Sequence, residues 1–205
     1  MTSKPTSASR RRSKRPPSQR TPRPPQTALV AFAKFAKKLG VRWYVFGAQA
    51  VNLYGFPRAT ADLDVTVELG KLDPIDVVAR LRKANFTPRF EDAAFIAATR
   101  VIPVVHDASA SPIDIVLAGP GLEVQFLDEV VLHSIGRIEV PVLSIENLIV
   151  TKLLAGRPKD LEDVRELLPI RDVDHTHVER VLALVEAALD QSDLRAVYRR
   201  LRAGS

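Results

Sequence analysis

The chain has 205 residues, 46% of them hydrophobic and 26% charged, and it has no cysteine. That length fits one domain, or one domain with a small helical addition, and the missing thiols exclude disulfides, thiolate zinc sites and cysteine nucleophiles. The net charge of +6 is unevenly spread: no acid precedes Asp62, 13 Lys and Arg do, and the remainder carries 17 basic against 24 acidic residues, a net of −7.

A polyanion would therefore not adhere to the whole surface. No apolar run reaches the length of a membrane span, and no hydrophobic segment of a secretory signal follows the basic start. With the absent cysteines, this fits a cytoplasmic protein. Residues 1–26 are Pro, Ser and Arg with almost nothing apolar, so they cannot offset the entropy of ordering and are expected to be disordered. They read either as an electrostatic arm for RNA, acting through phosphate contacts, or as a solvated tail.

The spacing of Leu29, Phe32, Phe35 and Ala36 predicts an amphipathic helix over 27–39, stopped by Gly40. A strand follows over 41–46, then Gly47-Ala48 opens a short helix that runs to Tyr54. Gly55-Phe56-Pro57 forces a turn, and 61–69 reads as the second strand. Asp73 and Pro74 mark the start of a helix ending near Ala84. Strands are expected over 86–90 and 101–106, with a short helix between, and over 113–117. A helix is expected over 122–131 and a strand over 137–142. Beyond Ser144 the pattern is helical: one helix capped by Ser144 and ended by Gly156, one capped by Asp160 and stopped by Pro169, then 177–189 and 193–201. The layout predicts an α+β fold, with a tail over 1–26, a mixed sheet with flanking helices over 27–143, and a helical part over 144–205.

Within the second strand, Asp62 and Asp64 flank Leu63. With a side-chain period of two, both carboxylates leave one face while Leu63, Val65 and Val67 point into a core. Two adjacent carboxylates repel, and a divalent cation with oxygen ligands, Mg²⁺ above all, relieves that repulsion. Asp114 is a lone acid in another apolar strand. Each residue also has a plainer reading. Asp114 could be ion-paired within the sheet, Arg58 could be a surface residue after a turn, and Lys152 could snorkel from an apolar face. Asp160 is read first as a helix cap. His175 and His177, beside Asp172 and Asp174 at a helix start, read as exposed capping residues rather than metal ligands.

Phe46-Gly47-Ala48, then Asp62-x-Asp64, then Asp114 resembles the signature of the DNA polymerase β-type nucleotidyltransferase superfamily, with Ala48 where Gly or Ser is usual. Within it, the run Arg58-x-Thr60-x-Asp62-x-Asp64 and the later Lys152…Arg157-Pro-Lys159-Asp160-x-x-Asp163 are most similar to AbiEii-type nucleotidyltransferases, toxins of type IV toxin–antitoxin pairs. The resemblance spans residues 45–168. It implies transfer of a nucleoside monophosphate from an NTP to an acceptor hydroxyl with release of pyrophosphate. It implies that Asp62, Asp64 and Asp114 hold two Mg²⁺ ions, and that Asp114 accepts a proton. Gly47 would let the backbone approach phosphate at the N-terminus of the following helix, and Ala48 offers only its backbone. Arg58 and Lys152 would neutralise phosphate charge, with Thr60, Lys159 and Asp163 also at the nucleotide. The implied partners are the NTP, an RNA or tRNA acceptor and a cognate antitoxin, with no membrane. A small-molecule acceptor, or a non-catalytic binding protein on the same fold, are the alternatives.

Overall fold

The computed structural model describes residues 24–190 and 193–204. Residues 1–23 of the expected arm lie outside the described residues. Helix α1 (Pro24–Leu39) opens three residues earlier than its apolar pattern, on Pro24 and Pro25, since proline's fixed φ suits a first helical turn.

The chain continues through β1 (Arg42–Phe46), α2 (Gly47–Leu53), β2 (Leu63–Glu68), α3 (Pro74–Lys83), β3 (Phe86–Pro88), α4 (Ala93–Thr99), β4 (Val101–His106) and β5 (Ser111–Leu117). Then come α5 (Leu122–Phe126), β6 (Val130–Ile135), β7 (Ile138–Leu143), α6 (Ile145–Ala155), α7 (Pro158–Leu167), α8 (His175–Leu189) and α9 (Leu194–Ala203). The described strands form one mixed sheet in the order β3-β4-β5-β2-β1-β7-β6. β2 runs antiparallel to β1 and parallel to β5, and β1 runs parallel to β7.

Register decides which side chains share a face. Val45 pairs with Val65, and Val65 with Ile115. These residues, with Trp43, Leu63, Val67 and Ile113, are buried on one face. Helix α1 covers that face: Phe32 meets Trp43 edge-on, with centroids 5.1 Å apart and planes at 74°. Phe32 is 1% exposed, so truncating it to alanine is expected to cost about 3–5 kcal/mol. The next row places Phe46 beside Asp64 and Asp64 beside Asp114. The apolar face thus anchors the strands while the opposite face carries the acids.

Three expectations are corrected. The helix expected over 122–131 ends at Phe126, and Val130 opens β6, which makes a hairpin with β7 through Gly136 at φ 63°. The run Val130-Val131-Leu132 is branched and apolar, and a paired strand next door outweighs its helical spacing. Helix α7 does not start at Asp160. Pro158 stands in its first turn, with Arg157 at the cap position making no side-chain cap. Asp160 is therefore inside the helix and free for other partners. His175 and His177 are half-buried rather than exposed. His175 Nδ1 lies 2.6 Å from the Tyr198 hydroxyl and His177 Nε2 lies 3.1 Å from Asn147 Oδ1. The cap of α8 is Asp174, which accepts from the His177 N–H at 2.9 Å.

Candidate active site

The site begins with the acid row. Asp64 sits in β2 directly beside Asp114 in β5, and Asp62 lies one residue before β2 begins. Asp64 is half-buried, whereas Asp62 is exposed. Burial, then the Asp114 and Asp62 carboxylates, push the Asp64 carboxyl up from 3.8 to about 6, against the pull of Lys152 and Arg157. The row thus carries negative charge that its protein neighbours do not fully neutralise.

Gly47 is fixed by these acids. Its φ is +68°, and a Cβ placed there would overlap Asp64 Oδ2, so both the backbone angle and the close approach require glycine. No side chain caps the turn that Gly47 opens. After α2, residues 57–61 lead back to β2 and are held from both sides. Asn52 Nδ2 donates to the Arg58 carbonyl at 3.3 Å, and Asn52 Oδ1 accepts the Arg58 N–H. The Thr60 hydroxyl donates to the Asp62 carbonyl at 3.3 Å.

Opposite the acids stands a cationic wall. Lys152, only 7% exposed in its side chain, lies 2.9 Å from Asp160 Oδ1 and 2.8 Å from Asp163 Oδ2. Gly156, left-handed at φ 62°, ends α6 and lets α7 turn back. The three-residue spacing of Asp160 and Asp163 then puts both on the α7 face toward Lys152. Arg157 pairs with Asp160, and Arg58 pairs with Asp163 and donates to the Lys159 carbonyl at 3.1 Å. Burial raises the Asp160 carboxyl, but the hydrogen bonds from Arg157 and Lys152 outweigh it and hold it below the ordinary carboxylate range. Three cations here meet two buried carboxylates, and the exposed Lys159 adds a fourth.

A cleft of about 440 Å³ brings these groups together. Asp62, Asp64, Asp114, Lys152, Gly47, Ala48, Arg58, Thr60, Lys159 and Asp163 all line it. Asp160 and Arg157 line it too. Asp163 is buried and bound to Lys152 and Arg58, which makes it a holder of cations. Arg89 was not foreseen. It follows β3 and ion-pairs Asp114 of β5 past the one intervening strand, β4, a contact invisible without the sheet order. Arg157 had a signal in the sequence, its place in the Arg-Pro-Lys-Asp run.

Among the described residues, no three His, Cys, Asp or Glu side chains already stand as a coordination cage. Asp62 is outside the strand and Asp114 is engaged by Arg89. The donor set nonetheless fits a hard divalent ion. It is all carboxylate oxygen, and the Asp64 carboxyl, raised first by burial and then by the Asp114 and Asp62 carboxylates, is a group whose charged form such an ion would favour. No described helix is long and apolar enough to cross a membrane.

The family described as nucleotidyltransferase of unknown function (DUF6036) matches residues 29–202. Among solved structures, an antigenic nucleotidyltransferase-like protein from Paracoccidioides brasiliensis is similar at 16% identity and a TM-score of 0.53, over 85% of this chain and 91% of that one. The lincomycin-bound lincosamide antibiotic adenylyltransferase LnuA is similar at 14% identity and a TM-score of 0.50, over 70% of this chain and 96% of that one. Likeness at such identities shows the fold. No curated protein matches the chain.

Proposed function

Since the chain belongs to the DUF6036 nucleotidyltransferases, we propose that it transfers a nucleoside monophosphate from an NTP to an acceptor hydroxyl on RNA, in an Mg²⁺-dependent reaction. The observation that carries this reading is the single cleft in which an acid row faces a cationic wall. A triphosphate is a polyanion whose α-phosphate must be attacked while its pyrophosphate leaves. A site for it needs negative groups for metal on one side and positive groups on the other.

Asp62, Asp64 and Asp114 would hold divalent metal, which supplies charge neutralisation at the attacking and leaving oxygens when bound. Lys152 and Arg157 meet the β- and γ-phosphates, with Lys159 at the rim. Asp160 and Asp163 hold Lys152 and Arg58 in place and touch no phosphate. Gly47 and Ala48 give the phosphates a wall without side-chain bulk. The acceptor oxygen bonds to the α-phosphorus, the bond to the bridging pyrophosphate oxygen breaks, and Asp114 takes the hydroxyl proton. Asp114 must first leave Arg89.

The Arg58-x-Thr60-x-Asp62-x-Asp64 run and the Lys152 to Asp163 motif support an AbiEii-like toxin, with a cytoplasmic RNA acceptor and a cognate antitoxin. The test is transfer of label from α-³²P NTPs to total cellular RNA, including tRNA, with Asp64→Ala as control. Labelling by the wild type and none by the variant is expected. Equal labelling by both would remove the assignment.

A further inference from the structure

The two edges of the described sheet are unlike. β3 is three residues long, ends in Pro88 and is followed by Arg89. A short edge with a proline and a charge offers another strand little to pair with. β6 has six residues, Val-Val-Leu-His-Ser-Ile, with no lysine, acid or proline. Among the described strands it pairs with β7 alone. Val131 is 43% exposed and Leu132 is 58% exposed. An open ladder that carries exposed apolar side chains is a template for a further strand.

The hairpin decides which backbone groups are open. Ile135 and Ile138 close the two-residue turn Gly136-Arg137 and exchange their hydrogen bonds. By alternation, His133 and Val131 also bond to β7, so Val130, Leu132 and Ser134 turn their N–H and C=O groups to the edge.

We propose that β6 pairs antiparallel with β6 of a second copy of this chain, about a two-fold axis at His133, joining the two sheets edge to edge. With that axis, Leu132 of one copy faces Ser134 of the other, and about four backbone hydrogen bonds form. Val131 faces Ile135, and the two Leu132 side chains are diagonal neighbours.

Charge selects both the partner and the register. Glu129 and Arg137 are the acid and the base at the two ends of the segment 129–137, with no other acid, lysine or arginine between them. The axis at His133 sets Glu129 of each copy against Arg137 of the other, one pair on each side. Arg137 is exposed. Glu129 keeps 32% of its side chain exposed while its Oε2 accepts from Asn147 Nδ2 at 2.7 Å. Registers that satisfy the open backbone groups move the axis by whole residues. An axis at Ser134 sets Glu129 against Glu139, and one at Leu132 sets it against Ile135. A second copy therefore supplies, in one register, the counter-charge for both ends. Burial pushes the His133 imidazole below its ordinary value, so the two rings meet uncharged at neutral pH.

No residue of β6 lines the cleft, so this inference stands apart from the nucleotidyl-transfer reading. The interface is at the small end of specific ones, and monomer and dimer should exchange in the micromolar range.

The test is sedimentation equilibrium of the full chain over a concentration series. Wild type should show a monomer–dimer equilibrium. Leu132→Lys, which puts a charge on the open edge, should weaken the dimer about tenfold, and Arg137→Glu should do the same by setting like charges opposite. Both positions are exposed, so the melting temperature of dilute monomer and MgATP binding should stay as in wild type. The chain has no cysteine, which allows a second readout. His133→Cys brings two thiols together across a non-hydrogen-bonded pair, with Cα atoms about 4.5 Å apart, within disulfide reach. Mild oxidation should link two copies through it, and Glu139→Cys should form no such link. A chain that stays monomeric at every concentration overturns the proposal. A dimer indifferent to both Leu132→Lys and Arg137→Glu overturns it too, as does a link through Glu139→Cys with none through His133→Cys.

Discussion

Replacing Lys152 with methionine keeps the length and apolar stem of the side chain and deletes the ammonium between Asp160 Oδ1 at 2.9 Å and Asp163 Oδ2 at 2.8 Å. Those carboxylates are 0% and 3% exposed in their side chains. Removing one partner of a buried ion pair costs about 3–5 kcal/mol, because the charge left behind has lost its compensation. Here Arg157 stays on Asp160 and Arg58 stays on Asp163, which sets the expectation at the low end, about 3 kcal/mol. For a chain of this size that is a fall in melting temperature of roughly 6–12 °C. The check is thermal unfolding at neutral pH of Lys152→Met, Asp163→Asn and the double variant. The double variant should lose less than the sum of the singles, since the two residues share one interaction. Additive losses, or a Lys152→Met melt within about 1 °C of wild type, would refute the claim that this lysine is held by the acids of α7.

Three further outcomes follow from the same geometry. Gly47→Ala should destabilise by about 1–3 kcal/mol, through its left-handed φ and the overlap with Asp64, and should abolish nucleotide transfer; a thermal melt and the label-transfer assay check it. In chelator, the contribution of Asp64 to stability should be full below about pH 4 and be lost as pH rises through 6, because burial and then the Asp114 and Asp62 carboxylates raise its carboxyl to about 6 in the folded state; the melting-temperature difference between wild type and Asp64→Asn should therefore change across that range, and a constant difference would refute it. Arg89→Gln should tighten binding of Mn²⁺ alone several-fold by calorimetry, because the guanidinium that competes for Asp114 is gone.

Much of the site was legible in the sequence because it is local. Asp64 declares its face through strand periodicity, whereas Asp62, expected in the same strand, lies one residue before β2 begins; Gly47 announces its turn by residue type. The approach of Asp114 to Asp64 was inferred from the resemblance, and the parallel register of β2 and β5 supplies the cause. Contacts that span the sheet could not be read. Arg89 reaches Asp114 because β3 and β4 lie outside β5, which sequence spacing does not encode. Asp160 was read as a cap because an acid before an apolar helical run has that look. Pro158 starts the helix earlier, and the carboxylate turns to Lys152 and Arg157 instead. The β6–β7 hairpin was hidden for a related reason: Leu122 to Val131 carries apolar spacing that suits either structure, and only pairing with β7 decides it.

The central claim is that the acid row and the cationic wall hold one metal–triphosphate between them. A crystal grown with Mn²⁺ and a non-hydrolysable NTP analogue tests it most directly. The account predicts anomalous density against Asp62, Asp64 and Asp114, with the β- and γ-phosphates on Lys152 and Arg157. A triphosphate seated elsewhere, or manganese that avoids the three carboxylates, would contradict it.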